Sequence, residues 1–341
     1  MRKIHVDAMR RRWRGCIGRN PSLCWPAMNP PAPPAPVSWR KRLVWRSQAL
    51  LLGVCWRVLG LLPRRAASAA GAAAFALLGP LTARHAFVRR NLAQVLGTGD
   101  PARIDPIARG VWGNFGAVLA EYPHLARYVC GAAGADFEIR IDPHAEAIVR
   151  GQLPAVYVAA HLANWELATA AIARLGIPFS AVYAPQGNPF LDTRLQARRA
   201  ALRARFIGKR NALRQLVTEL RGGRSVGLLP DQRSDTGEML PFFGAPAATA
   251  ISPAWLALQG GVPLVPVHVE RLGHARYRTT FHAPLAPPAA GSGRAQVLAL
   301  SERLNALFES WIRAHPEQWL CLRRRWPRQP AAQHVETPRC G

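Results

Sequence analysis

Apolar and polar positions follow two different periods along the chain. Short apolar runs typical of buried strands occur at 154–160, 176–183, 225–229, 264–269 and 277–281. Segments of helical periodicity lie between and after them, through Leu175 and at 192–205, 212–220, 252–260 and 294–314. Strands that alternate with helices predict an α/β fold with a mixed, largely parallel sheet flanked by helices.

The residues before this region are helical and more apolar. The run from Leu43 to Leu62 would reach about 30 Å as a helix, enough to cross a bilayer, and its two arginines lie near its ends. A second, alanine-rich run covers 66–81, and helical periodicity continues over 82–122. Basic flanks and terminal tryptophans favour a membrane-associated helical region over 39–81, in the interface plane or shallowly inserted. A pair of ordinary core helices is the alternative.

Both ends of the chain differ from its middle. Residues 1–38 are basic and end in a proline-rich run after Met28, which predicts a disordered extension. A lipid- or nucleic-acid-binding arm is the alternative, and translation could begin at Met28. Residues 321–341 form a basic tail that is predicted to be loose and solvated. The predicted α/β domain therefore covers 82–320.

Charge narrows the classes of partner. Lysine and arginine number 45 against 19 aspartates and glutamates, which gives a formal net charge of +26. Such a charge predicts an anionic partner: nucleic acid, phospholipid headgroups, or an acidic protein or substrate. Because the charge is dispersed through an α/β body without a recognition module, nucleic acid is the least favoured of these. The six cysteines have no zinc-type spacing, so neither a metal site nor a disulfide framework is expected.

Candidate chemistry lies where the first predicted strand ends. The sequence has no GxxxxGK[ST], GxGxxG, GxSxG or HExxH string, which removes most support for nucleotide-driven reactions and covalent serine catalysis. His161 follows the strand directly, at the end where ligands bind in open α/β sheets. Glu166 lies about one helical turn further and can reach back to one imidazole nitrogen, which leaves the other as a general base. A capping histidine and an unrelated glutamate are the alternative.

Further segments carry candidate substrate contacts. Asp231 and Gln232 follow the strand at 225–229, and Phe242 and Phe243 lie in a loop bounded by prolines. Taken alone, such an aspartate is most often a cap or turn residue, and such phenylalanines are most often core. The helix after the second strand carries three arginines that could contact phosphate or carboxylate, or form a solvated face: Arg194, Arg198 and Arg199.

In combination, these residues resemble the lauroyl/myristoyl acyltransferases of lipid A biosynthesis, a branch of the lysophospholipid acyltransferase superfamily. The resemblance covers about residues 39–319. It follows the family order: an apolar N-terminal anchor, Arg89-Arg90-Asn91-Leu92, Glu121, His161-Leu162-Ala163-Asn164-Trp165-Glu166, Leu229-Pro230-Asp231-Gln232, Phe242-Phe243-Gly244-Ala245-Pro246-Ala247 and Pro263-Leu264-Val265-Pro266-Val267. An FPEGTR-like string, usual in the glycerolipid branch, is missing, so another lipid acceptor (glycerolipid, ornithine lipid or glycolipid) ranks second.

The resemblance implies transfer of a fatty acyl chain from acyl carrier protein to a hydroxyacyl chain of a Kdo-bearing lipid A precursor, without a covalent acyl-enzyme. It implies a site of action on membrane phospholipid at the cytoplasmic face of the inner membrane, and no cofactor. In that reaction His161 would be the general base, Glu166 would orient its ring, and Asn164 or backbone amides would stabilise the oxyanion. A basic nucleic-acid- or membrane-binding protein is the alternative from another class.

Overall fold

A seven-stranded sheet lies at the centre of the part of the chain that the computed structural model describes, namely residues 37–131, 136–210, 212–288, 291 and 293–327. Its strands are β1 (Phe137–Ile141), β2 (Val156–Val158), β3 (Phe179–Tyr183), β4 (Arg205–Gly208), β5 (Ser225–Leu228), β8 (Leu264–Gly273) and β9 (Arg276–Phe281). They lie in the order β1-β9-β8-β2-β5-β3-β4, and every neighbouring pair is parallel except β8 with β9. The predicted mixed, largely parallel α/β sheet is confirmed.

Helices cover both faces of this sheet. They are α1 (Trp39–Leu61), α2 (Arg64–Leu78), α3 (His85–Leu96), α4 (Pro101–Glu121), α5 (Leu125–Cys130), α6 (Pro143–Arg150), α7 (Glu166–Arg174), α8 (Pro189–Arg199), α9 (Ala212–Arg221), α10 (Ser252–Gly260) and α11 (Arg294–Ala314). Successive residues of β2 alternate between two separate apolar cores. Val156 and Val158 pack with α9, α10 and α11, whereas Tyr157 packs with α5 and α7. A strand buried on both faces must be apolar throughout, which explains the uninterrupted run in its sequence.

Three helices begin with the same local signal, an Asx residue followed by proline. Asp100, Asp142 and Asn188 each accept a hydrogen bond from a backbone N–H two residues on. The proline that follows each of them occupies the first helical position, where its missing N–H costs nothing. The predicted helix at 192–205 therefore begins earlier, at Pro189, and it ends at Arg199 because the chain then turns into strand β4.

A separate hairpin replaces the rigid loop predicted around the two phenylalanines. Strands β6 (Glu238–Phe242) and β7 (Ala245–Thr249) pair antiparallel, with Phe242 opposite Ala245. The two turn residues between them, Phe243 and Gly244, both have positive φ, at 51° and 73°. Two positive φ values in a two-residue loop are the geometry that best matches the twist of a hairpin. The polar and proline residues of this stretch interrupt the alternation of apolar and polar positions by which a strand is recognised in the sequence.

The basic tail was predicted to be loose, and over residues 321–327 that prediction is wrong. Arg325 is 2% exposed, and its guanidinium donates to the Ala248 carbonyl (2.8 Å) and the Thr249 hydroxyl (2.7 Å). Trp326 stacks on Phe242 with ring centroids 5.7 Å apart. One guanidinium of this charge run is therefore buried where the fold supplies acceptors for it, while Arg323 stays exposed. The rest of the predicted tail and residues 1–36 of the predicted extension lie outside the described residues.

The apolar N-terminal region forms α1 and α2, two helices that leave a row of large apolar side chains exposed. Within the described residues no single helix is long and apolar enough to cross a bilayer, although Arg64–Leu81 and His85–Leu96, bent by 98°, pass that test as a pair. Most of the exposed side chains on α1 lie three, four or seven residues apart, which places them on one face; they are Leu43, Leu50, Leu51, Val54, Val58 and Leu61, with Leu77, Leu78 and Leu81 beyond. Membrane association therefore stays a prediction.

Candidate active site

His161 lies in a tight loop between β2 and α7, as the sequence predicts. The loop is fixed through its backbone: Leu320 donates to the His161 carbonyl (2.8 Å), and Ala163 donates to the Gln318 carbonyl (2.9 Å). Ala163 has φ 49°, a left-handed conformation that is rare for a residue with a side chain. The last residues before the tail thus hold the loop that carries the histidine.

The imidazole of His161 is paired with Asp231. Its Nδ1 lies 2.7 Å from Oδ1 of Asp231, whose side chain is fully buried, while the imidazole keeps 22% of its surface exposed. The other carboxylate oxygen accepts a hydrogen bond from the Trp319 indole at 3.0 Å. Asp231 follows β5, and β5 is the direct neighbour of β2, so the pair forms at the carboxyl end of two adjacent parallel strands. An imidazole held through Nδ1 presents Nε2 as a base.

Electrostatics keep Asp231 ionised despite its burial. Burial alone would raise its pKa, but the adjacent His161 ring and hydrogen bonds from His161 and Trp319 outweigh that effect, and the pKa lies below its ordinary value. A buried carboxylate with a negative charge stabilises the imidazolium that forms when Nε2 takes a proton. The arrangement is therefore suited to general-base catalysis.

Glu166 does not orient the His161 ring, and that prediction is wrong. Its carboxylate forms a buried ion pair with Arg199 at 2.6 Å and also accepts hydrogen bonds from Tyr122 (2.9 Å) and the Trp165 indole (3.1 Å). Burial alone would lower the pKa of Arg199, but the Glu166 carboxylate raises it overall. Glu166 therefore ties the start of α7 to α8.

A second buried ion pair lies below the loop and takes up Asn164. Glu121, which is fully buried, pairs with Arg271 (2.7 Å) and accepts a hydrogen bond from the Asn164 side-chain amide (2.8 Å). Asn114 contacts Arg271 (2.8 Å) and donates to the carbonyl oxygens of Ala163 and Gln318. The Asn164 amide, a candidate oxyanion donor, is thus engaged in supporting the loop.

The remaining predicted substrate residues are scattered. Arg198 lies over the ring of Trp56 at 5.8 Å, and the Arg194 guanidinium reaches so close to Gly53 that a Cβ there would lie 2.6 Å from it. These two arginines therefore face α1, while Arg199 pairs with Glu166. Gln232 is beside the site and donates to the Leu320 carbonyl (3.4 Å).

Phe242 and Phe243 were predicted to contact substrate, and the structure places both in the core instead. They are 0% and 5% exposed. Phe242 packs against Trp319 as well as Trp326, with ring centroids 6.1 Å and 5.7 Å away. Their role is to fill the space behind Asp231.

A narrow apolar pocket with a cavity volume of about 30 Å³ lies near the pair, between α7 and the sheet. Its walls include Trp165, Ala168, Ile172, Phe179, Leu228 and Val267. Trp165, whose ring lies 5.5 Å from the imidazole, shares one face of α7 with Ala168 and Ile172, so the wall extends about 10 Å away from His161. Its apolar lining suits the hydrocarbon chain of a lipid, but its volume is that of about two water molecules, so a chain could enter only if α7 and the sheet moved apart. Among the described residues, no group of three or more His, Cys, Asp or Glu side chains is arranged to hold a metal ion.

Sequence reasoning missed the roles of Asp231, Trp319 and Arg325. Asp231 was selected, but as a substrate contact, because its pairing with His161 depends on the adjacency of β2 and β5, which lie 70 residues apart. The usable signal was that both residues follow an apolar strand. Parallel neighbours place such positions together.

Comparisons with known proteins place the chain in a family. A family model described as "Bacterial lipid A biosynthesis acyltransferase" matches residues 38–328. The chain is similar to the phosphatidylinositol mannoside acyltransferase of Mycobacterium tuberculosis, at 27% identity over 70% of this chain and 76% of the relative. It is also similar to the enzyme of that name from Mycolicibacterium smegmatis, at 24% identity over 70% and 78%. Among solved structures, the 1-acyl-sn-glycerophosphate acyltransferase of Thermotoga maritima matches 78% of this chain and 98% of its own, with 15% identity and a TM-score of 0.33.

Proposed function

The chain belongs to the bacterial lipid A biosynthesis acyltransferase family, and we propose that it moves a fatty acyl chain from acyl carrier protein to a hydroxyl of a Kdo-bearing lipid A precursor. That it is an acyltransferase of this family follows from a match over residues 38–328. The donor, the acceptor and the place of action are the proposal.

One observation carries the proposal: the His161–Asp231 pair lies beside an apolar cavity. The base has to reach the acceptor hydroxyl that attacks the thioester carbonyl, while the acyl chain needs an apolar environment within a few ångströms of that carbonyl. Trp165 connects the base and the cavity, since its ring lies next to the imidazole and also lines the cavity. Leu229, on the other wall, is two residues before Asp231.

The reaction needs only one proton carrier. Nε2 of His161 takes the proton of the acceptor hydroxyl as its oxygen attacks the thioester carbonyl, and the negative charge of Asp231 stabilises the imidazolium. The tetrahedral intermediate then expels the carrier thiolate, which takes the proton back from Nε2, and an ester remains. Asn164 is engaged by Glu121, and the N–H groups of Leu167 and Ala168 donate to the carbonyl oxygens of Asn164 and Trp165, so the backbone N–H groups of Trp165 and Glu166 are the candidate donors to the oxyanion.

Attachment to membrane phospholipid at the cytoplasmic face of the inner membrane completes the proposal. The exposed apolar row of α1 supports it, because Trp39, Leu43 and Leu61 are 70%, 61% and 86% exposed on a helix that also carries Arg40, Lys41 and Arg42. Apolar side chains beside basic ones suit the headgroup region of an anionic bilayer. The formal charge of +26 likewise favours an acidic carrier protein as donor.

A second acceptor is favoured by one finding. The two mycobacterial relatives carry names that specify phosphatidylinositol mannoside, a glycolipid. The same base and the same cavity would serve a sugar hydroxyl equally well, because the chemistry at the thioester does not change.

Mass spectrometry of lipid A separates these candidates. Lipid A from cells that lack the gene should lose one acyl chain, and the wild-type gene should restore it where a His161→Ala gene does not. Purified protein should then acylate the precursor from the carrier-protein thioester. Unchanged lipid A, together with a change in another glycolipid, would support the second acceptor. Unchanged lipids of every class would refute both.

A further inference from the structure

We propose that Trp319 is a positioning residue for the acyl transfer proposed above, and that it holds Asp231 in the orientation that serves His161. The inference rests on that proposed function. It assigns a task to a residue that comes from the segment after α11 and contacts neither the cavity nor the exposed side of the imidazole.

The side chain of Trp319 completes the environment of Asp231. The Asp231 carboxylate has one oxygen on His161 Nδ1 (2.7 Å) and the other on the Trp319 indole N–H (3.0 Å). Trp319 itself is 1% exposed, and its ring packs edge-on against Phe242. A donor fixed at one oxygen prevents the carboxylate from rotating, and this leaves the other oxygen aligned with the imidazole.

The backbone of the same segment holds the histidine. Trp319 forms an antiparallel bridge with Leu162, and the residues on either side of it bind the carbonyl of His161 and the N–H of Ala163. Both members of the pair therefore take their position from one residue, although they come from loops 70 residues apart. Loss of the indole N–H alone should disturb the orientation of the Asp231 carboxylate, while the backbone hydrogen bonds of residues 318 and 320 to the histidine loop remain.

The matched control lies in the same aromatic cluster. Trp326 also packs against Phe242, its indole also donates to a buried acceptor, the Phe242 carbonyl (3.0 Å), and its ring lies 6.3 Å from that of Trp319. It makes no hydrogen bond to either member of the pair. Trp319→Phe and Trp326→Phe thus remove the same atoms from two rings that pack on Phe242, the first fully and the second partly buried, and only the first removes a contact of Asp231.

We expect Trp319→Phe to lower kcat by roughly ten- to hundredfold, the loss typical when a partner that orients an active-site group is removed. KM should change little, because the residue lies behind the pair. Loss of this hydrogen bond also raises the pKa of Asp231 and makes its carboxylate the stronger acceptor for Nδ1–H, so the acid limb of the rate profile, which belongs to the coupled His161–Asp231 pair, should move to higher pH. The charged groups that act on Asp231 are His161 from the loop after β2 and Arg325 from the final segment, and both are unchanged in the variant. Trp326→Phe should keep the wild-type profile.

The experiment compares both variants with wild type in kcat, KM and pH profile, with thermal melts alongside. Equal losses in the two variants, or a Trp319→Phe profile with an unmoved acid limb, would overturn the positioning role. If Trp319→Phe does not fold, 3-benzothienylalanine at position 319 keeps the ring shape without the N–H, and the same criteria apply.

A second readout separates this inference from the proposed function. The hydrogen-bonded Nδ1–H proton of His161 gives a downfield NMR resonance, which His161→Ala identifies by its loss. That resonance should shift in Trp319→Phe and stay in place in Trp326→Phe. If wild type transfers no acyl group but the resonance responds, the proposed function fails and the positioning role stands. If wild type is active and neither readout responds, the positioning role fails alone.

Discussion

Isosteric substitutions distinguish Asp231, the partner of His161 in the structure, from Glu166, the partner that the sequence predicts. Asp231→Asn and Glu166→Gln each replace a buried carboxylate by an amide of the same size. In Asp231→Asn the amide can donate to Nδ1, which forces the proton onto Nε2 and leaves no base. In Glu166→Gln the pair with Asp231 is untouched, but Arg199 loses its counter-charge.

The structure sets different magnitudes for the two variants. Asp231→Asn should lower kcat by about 10²–10⁴-fold, the contribution of general-base catalysis. Glu166→Gln should mainly lower the free energy of unfolding, because Arg199 and Glu166 keep only 13% and 4% of their side-chain surface exposed. Breaking a buried pair by removing one partner costs about 3–5 kcal/mol, an upper value here because glutamine still accepts hydrogen bonds. For a domain of this size that lowers the melting temperature by roughly 5–10 °C.

The assay measures single-turnover acyl transfer from a carrier-protein thioester and the thermal melt of each protein, at a temperature where all remain folded. Asp231→Asn should be slow and stable, and Glu166→Gln should be unstable and, where folded, much faster than Asp231→Asn. The reasoning is refuted by the opposite result: a Glu166→Gln protein that melts like wild type and has lost 10²-fold or more in rate, beside a nearly unaffected Asp231→Asn.

Three shorter predictions follow from other parts of the molecule. His161→Ala should lose about 10²–10⁴-fold in transfer rate and melt at a lower temperature, because the buried Asp231 carboxylate loses its partner, while staying folded at the assay temperature; near-normal turnover of the folded protein would exclude His161 as the base. Leu50→Ser with Leu51→Ser should weaken pelleting with anionic vesicles by up to ~1.5–3 kcal/mol per side chain, whereas the exposed Leu272→Ser should not. Activity with the carrier-protein donor should fall more steeply with salt than activity with a small thioester, because the Debye length shrinks from ~10 Å at 0.1 M to ~3 Å at 1 M; equal profiles would exclude a charged docking face.

The fold could be predicted where local sequence dictates structure. The strands at 156–158 and 225–228 are mostly apolar because the sheet buries them on both sides. The apolar run therefore marks where the first strand ends and where His161 begins the loop after it. By contrast, β1, β4 and the β6–β7 hairpin were missed, because prolines, glycines and charged residues in those segments hide the alternation of a strand.

The partner of His161 could not be predicted, because it depends on contacts between distant segments. The spacing from His161 to Glu166 suits a contact across one helical turn, but the left-handed Ala163 lies between them and Arg199 pairs with the glutamate from another helix. Which strand lies beside β2 is a property of the whole sheet. Only the observed strand order shows that the Asp231 carboxylate lies within hydrogen-bonding distance of the His161 imidazole.

The clamp around residue 319 has a consequence for biosynthesis. The histidine loop and the strand that precedes Asp231 are synthesised early, yet the bridge to Leu162 and the indole that binds Asp231 come from the segment after α11. Strand β1 likewise has to wait for β9, its parallel partner, which is made about 140 residues later. A nascent or prematurely terminated chain would therefore carry the base without its support. We expect the chain to become active only when its final segment has been released and folded back.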